Sequence, residues 1–184
     1  MTRTIATLAM ALTLGLAGCA GQRTVYLALS PTSGPTFHTR GAAIAVAHVL
    51  MPPTIDRIYL TTATGPNTRA VSRRARWTAP LAGQAQAILA RDLARRLPER
   101  RVAMPGDPVP RAALLVHVEV TDFMPHPGHV ELAADWRGVR AGKAVAAGRV
   151  RIAERCGGGA AAEAHAMSVA LGRLADRIAA RLSR

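Results

Sequence analysis

AALLVHVEVTDF (112–123), then VELAADWRGVR (130–140), then Lys143 to Ile152, is the stretch that decides the fold. In the first of these, Val116, Val118 and Val120 share one side, with His117, Glu119 and Thr121 on the other. That period-two alternation marks a strand with one face buried. Pro125 to Gly128 and Ala141-Gly142 carry turn residues, so the three segments predict an antiparallel meander with short loops. Downstream, Ala160 to Leu182 changes period: Met167, Leu171, Leu174, Ile178 and Leu182 form the stripe of a long amphipathic helix.

Upstream, Ala79 to Leu97 is a second helix, with Leu81, Ala85, Ile88, Leu89, Leu93 and Leu97 on one face and Pro98 as its stop. Arg91, Asp92, Arg95 and Arg96 fall mostly off that stripe. Before it come a buried strand at Ala43 to Leu50, closed by Met51-Pro52-Pro53, a second strand at Arg57 to Thr62, and a weakly alternating third at Arg69 to Arg76. Strands, helix, strands, helix predict an α+β domain: an antiparallel β-sheet with two amphipathic helices packed on one face, in two layers.

The N-terminus carries a different signal. Arg3 precedes the apolar run IATLAMALTLGL (5–16), which at about twelve residues is too short to span a bilayer. Leu16-Ala17-Gly18-Cys19 follows, small residues and then a cysteine, and resembles a bacterial lipobox at all four positions. Residues 1–18 are therefore expected to be a lipoprotein signal peptide and Cys19 the lipidation site. One acyl chain binds a membrane only marginally, whereas the two or three of a bacterial lipoprotein hold it there. Ala20, in place of the Asp that favours inner-membrane retention in enterobacteria, points to the periplasmic face of the outer membrane. Residues 19–42, rich in Gly, Pro, Ser and Thr with one short strand at Tyr26 to Leu29, are expected to be a tether, and 43–184 the domain.

The formal net charge is +13 and falls by one without Arg3. A basic surface for anionic lipid headgroups or nucleic acid is one reading. The other, which the pattern favours, is coding bias: Lys143 is the sole lysine, and arginine fills ordinary surface positions except at Arg73-Arg74-Ala75-Arg76 and Arg95 to Arg101. No nucleic-acid motif accompanies the arginines, so no nucleic-acid partner is expected.

No catalytic constellation stands out. There is no nucleophile elbow, no S-x-x-K, and no strand leading into Gly157-Gly158-Gly159 as a phosphate loop would require. His126 and His129 (HPGH) could begin a metal site, but no third ligand is evident nearby. With Cys19 acylated, Cys156 has no disulfide partner. The expectation is a non-enzyme without cofactor or metal. Trp77 reads either as a hydrophobic staple opening the first helix or as part of a partner surface.

Several segments together resemble the ABC-type transport auxiliary lipoproteins, the PqiC-like group. They are YLAL (26–29), IAVAHVLMPPTIDR (44–57), RWTAPL (76–81) leading into ARDLARRL (90–97), VHVEVTDFMP (116–125), VELAADWR (130–137) and AEAHAMSVALGRLADRIAARL (162–182). The order and spacing fit from about residue 19 to the end. One departure is Ile58-Tyr59-Leu60-Thr61-Thr62, where members more often carry a polar-apolar strand ending in a basic residue. The resemblance implies an auxiliary component working with an inner-membrane ABC transporter and an MCE-type periplasmic protein to move lipids or other hydrophobic molecules between membranes. It also implies docking at the outer membrane, with a homo-oligomeric ring as one arrangement. Within that frame Arg57, Arg76 and Trp77 are the candidate partner-binding residues, since Arg and Trp favour interface hot spots. Two other readings stand beside it: a lone lipid- or small-molecule-binding module, and a structural envelope lipoprotein. A cavity between sheet and helices would favour ligand binding, a filled interior docking.

Overall fold

The computed structural model describes residues 23–184. Cys19, the signal-peptide reading and the start of the expected tether lie outside the described residues. The elements in chain order are β1 (Val25–Leu27), β2 (Ile44–Leu50), β3 (Tyr59–Gly65), β4 (Thr68–Trp77), α1 (Leu81–Arg96), β5 (Val102–Ala103), β6 (Leu114–His126), β7 (His129–Arg140), β8 (Lys143–Arg155) and α2 (Ala160–Leu182).

The strands form a five-stranded sheet in the order β5-β2-β6-β7-β8 and a three-stranded sheet in the order β1-β4-β3. The β6–β7–β8 part is the antiparallel meander that the alternation predicts. The expectation of a wholly antiparallel sheet is corrected, because β2 runs parallel to both β5 and β6, and β1 runs parallel to β4. The cause is connectivity. The chain leaves β2, forms the β3–β4 hairpin and returns as α1 before re-entering the sheet, and such a crossover joins parallel strands.

Both helices cover the same face of the larger sheet, α1 over β2 and β5, α2 over β6, β7 and β8. The α1 stripe is buried throughout, and Val116, Val118 and Val120 of β6 point into it with Leu132 and Trp136 of β7. Gly148 of β8 lies beside Trp136 because a Cβ there would sit 2.7 Å from the indole Nε1. The smaller sheet leans on the larger through β3 against β6. Leu27, Leu60, Ala75 and Trp77 of the smaller sheet belong to the same core as the helices.

The tether expected over residues 19–42 is corrected from Val25 onward. Leu27 and Leu29 are core residues. The segment after them runs as a strap along the seam between the helices. Ser30 N donates to Ser168 Oγ on α2 (3.1 Å), Thr32 N donates to Asp92 Oδ1 on α1 (2.8 Å), and Phe37 N donates to the Arg96 carbonyl (2.7 Å). The strap crosses α2 at Gly172, where any Cβ would overlap Thr32 Oγ1. Composition reads this segment as loop, and it is loop in conformation. The amides of Ser30 and Thr32 are taken by helix side chains and that of Phe37 by a helix carbonyl.

Asp92 and Arg96, expected mostly off the α1 stripe, in fact fall within it at helical spacing from Ala85, Ile88 and Leu89, and are 0% and 1% exposed beneath the strap. Arg96 pairs with Asp92 four residues earlier and with Asp176 of α2. It also donates to the carbonyls of Thr32, Ser33 and Gly172. Burial pushes the Asp92 carboxyl above its ordinary value, against the opposing pull of the Thr32 amide and the Arg96 charge.

Candidate functional site

The partner-binding residues expected from sequence fall at the smaller sheet, where β3 and β4 meet α1. Trp77 is the last residue of β4 rather than the opening of the helix, and at 1% exposure it is a core side chain. A partner surface therefore cannot include it in this conformation. The indole is held inside because position 77 shares the inward face with Ala75, and the paired Leu27 on β1 covers it.

Arg76 lies one residue earlier and on the opposite face. Its cross-strand partners are Tyr26 on β1 and Tyr59 on β3, so three side chains make a row across the outer face of the sheet. The guanidinium carbon stands 4.9 Å from the centre of the Tyr59 ring, in cation–π range. Arg76 Nε is buried without a hydrogen-bond partner among the described residues. Arg57 is exposed at the entry to β3, its Nε donating to the Pro53 carbonyl (3.3 Å). Around this sheet Arg57 is thus exposed, Arg76 half-buried and Trp77 enclosed in the core.

Asp56, beside Arg57, does something the sequence pattern did not reveal. Its Oδ1 accepts the Ala82 amide at 3.0 Å, so a carboxylate from the loop before β3 caps the first turn of α1. The helix has Pro80 before it and no acid in its own first turn.

The other sequence candidates separate. His126 faces Asp122 (3.1 Å) and stacks on His129, whose Nε2 reaches 4.0 Å from Glu131. Burial lifts the Asp122 carboxyl, offset by the neighbouring His126. Among the described residues no group of His, Cys, Asp or Glu is arranged to hold a metal ion. Cys156 is partly buried, and its thiol is pushed up by burial and then by Glu163, which disfavours the nucleophilic thiolate.

A pair that the sequence did not join is His48 on β2 and His117 on β6, with ring nitrogens 3.3 Å apart. A bulge between Val46 and His48 brings the two together. They line a cleft of about 110 Å³ with Leu50, Glu119, Asp135 and Arg137, on the sheet face away from the helices. Burial, then His48 and Arg137, lowers the His117 pKa.

The comparisons place the chain. The family model for the ABC-type transport auxiliary lipoprotein component matches residues 26–179, most of the chain. The chain belongs to this family. Two solved structures share the fold seen here. A crystal structure of an uncharacterized protein is 18% identical with a TM-score of 0.68, over 89% of this chain and 98% of the other. A Xanthomonas campestris protein of the DUF330 family is 14% identical with a TM-score of 0.70, over 87% of this chain and 96% of the other. Among curated proteins nothing matches. The family match begins at Tyr26, so it takes in β1 and the strap that sequence composition assigned to a tether. Membership is consistent with a place in the cell envelope, and among the described residues no helix is long and apolar enough to cross a membrane.

Proposed function

We propose that this auxiliary lipoprotein is held by acyl chains on Cys19 at the periplasmic face of the outer membrane, as the docking component of an ABC/MCE-type system that moves lipids or other hydrophobic molecules between the two membranes. The observation that carries the reading is the family match over residues 26–179 directly behind the Leu16-Ala17-Gly18-Cys19 lipobox. Anchoring confines the domain to a thin layer and raises its effective concentration for a periplasmic partner.

The packing supports docking over solitary ligand carriage. Val116, Leu132, Leu89, Leu93, Leu171 and Leu174 between sheet and helices are each 0–1% exposed. The surface clefts, about 110 to 370 Å³, lie outside that interior rather than between sheet and helices. The role is non-catalytic in this proposal. Cys156, the free thiol among the described residues, has its pKa raised by burial and then by Glu163, which disfavours the nucleophilic thiolate.

The test is crosslinking and affinity capture from native membranes, comparing the wild type with Cys19→Ala, with mass spectrometry of the N-terminal peptide. A tri- or diacylated Cys19 and capture of an MCE-type protein by wild type, reduced with Cys19→Ala, are the expected results. A free thiol at Cys19, or equal capture by both forms, would overturn the anchored reading.

A further inference from the structure

The smaller sheet carries a surface that docking to a transporter does not account for. Neither β1, β3 nor β4 contains an acidic residue. From Met1 to Arg91 the chain has one acid, Asp56, and that carboxylate is turned to the Ala82 amide of α1. Over the same span lie nine arginines. Among the described residues none of Arg23, Arg57, Arg73, Arg74 and Arg76 takes part in an ion pair, whereas Arg149, Arg151 and Arg173 on or beside the larger sheet each hold a carboxylate.

The backbone pushes two of these arginines outward. The β3–β4 register jumps from Tyr59–Arg76 to Thr61–Val71, so four residues of β4 (72–75) oppose one residue of β3. Ser72 Oγ accepts the amides of Arg74 (3.2 Å) and Ala75 (2.8 Å) and fixes this bulge. Arg73 and Arg74 are both exposed at its tip. The parallel pairing of Val25 with Ala75 brings Arg23 to the same end of the sheet. Around them stand exposed groups that suit a membrane interface rather than water: Tyr26 at 66%, Ile58 at 54%, Val71 at 49% and Val25 at 46%. Five residues separate Val25 from Cys19, a reach of no more than about 20 Å over six Cα-to-Cα steps.

We propose that the outer face of the β1–β4–β3 sheet, with Tyr26, Arg76 and Tyr59 in its row and Arg23, Arg73 and Arg74 at its bulged end, is a second membrane contact that binds anionic phospholipid headgroups. Arginines without carboxylate partners are free to take phosphate oxygens. The tyrosines supply an apolar body with a polar tip at headgroup depth. The contact would lay the domain on the bilayer by this face, leaving the helices and the β8 edge toward the periplasm. The proposal rests on the anchored reading for the nearness of a membrane. The binding itself does not depend on acylation, which keeps the two testable apart.

The experiment uses the chain from residue 19 with Cys19→Ser, which contains the entire core from Leu27 to Leu182 and cannot be acylated. Flotation is measured with phosphatidylcholine vesicles and with vesicles of equal parts phosphatidylcholine and phosphatidylglycerol. Binding to the anionic vesicles alone, weakened by high salt, is expected. Arg23→Gln, Arg73→Gln and Arg74→Gln together should weaken it about a hundredfold, near fivefold for each arginine. The charge-matched control Arg149→Gln, Arg151→Gln and Arg155→Gln on β8 should change it less than about twofold. Arg74→Gln alone, at an exposed site, keeps the test readable if the triple variant unfolds. Equal loss in the two triple variants would reduce the effect to net charge and overturn the assignment. So would a lack of binding to anionic vesicles, the result expected if this face instead takes an acidic protein. Acylation of Cys19 is read separately by mass spectrometry, so a failure there leaves this result standing.

Discussion

On the helical side of the molecule, Arg96 is enclosed by the strap and the two helices, with Asp92, Asp176 and the carbonyls of Thr32, Ser33 and Gly172 all accepting from it. On the smaller sheet, Arg73 and Arg74 stand exposed on a bulge with no acid on any of its strands. One residue type is used in opposite ways: where partners are supplied it fixes the fold, and where they are withheld it is left for something outside the chain. In an arginine-rich, lysine-poor sequence the count of arginines says little. The distribution of carboxylates separates the two uses.

The contrast can be broken most forcefully at Asp92. Asp92→Ala removes one of the charges that compensate a guanidinium with 1% exposure, and should lower stability by about 3–5 kcal/mol in urea denaturation. A loss under about 1 kcal/mol would mean that Asp176 alone suffices. Next in size is the strap crossing. Gly172→Ala places a methyl group on Thr32 Oγ1 and should cost about 1–3 kcal/mol. Adding Thr32→Gly should recover part of it, and additive losses in the double variant would show that the strap does not press on α2 there. On the other side of the comparison, Arg73→Gln with Arg74→Gln should shift stability by no more than about 0.5 kcal/mol, since both groups are exposed without ion-pair partners. A larger loss would make these arginines structural and erase the difference between the two regions.

The smallest expected effect is pH-dependent and sits between the two regions, at His48 and His117. Burial, then His48 and Arg137, depresses the His117 pKa in the fold. The native state therefore binds that proton less tightly than the unfolded chain. The contribution of His117 to stability is full above its unfolded value near pH 6.5 and is lost as pH falls through the depressed native value. Urea midpoints at pH 7 and pH 5 should thus converge in His117→Gln relative to wild type. The subtraction matters because Asp92, Asp122 and Glu163, raised by burial, act in the opposite sense and favour the fold as pH falls. Unchanged spacing of the midpoints would show that His117 titrates alike in both states.

Much of the fold was legible in the sequence because side-chain period reports burial. The α1 and α2 stripes, the Val116-Val118-Val120 face and the Ala141-Gly142 turn all stand where alternation and turn chemistry put them. Strand direction was not legible, because period two is the same in parallel and antiparallel pairs. It is the α1 crossover that makes β2 parallel to β6. β5 pairs over only two residues, too few to show a period. The strap was missed for a related reason. Pro31-Thr32-Ser33-Gly34-Pro35 has the composition of a free loop, and nothing local records that Asp92 and Ser168 accept its amides. The one clue was that Asp92 and Arg96 fall at helical spacing among Ala85, Ile88 and Leu89, which turns the pair inward and calls for a polar segment to cover it. At the candidate site, Arg57 is exposed and Arg76 half-buried with its Nε enclosed, a difference that their shared residue type does not record. Trp77 was misplaced because it lies at the β4 end, where a strand's inward position and a helix staple look alike in sequence.

The strap also sets how the protein meets mechanical load. In the anchored arrangement proposed above, a pull arriving at Arg23 would act first on β1, which pairs with β4 over just Val25, Tyr26 and Leu27. Once that short strand is stripped, tension passes to Leu29 and Ser30, held by Gln84 and Ser168, and then to Thr32, tied to Asp92 beside the Arg96 cluster, before it can reach β2 at Ile44. The chain thus has a weak link in front of a strong stop. Force on the leash would be spent lengthening it by a few residues while the sheet and helices stay intact.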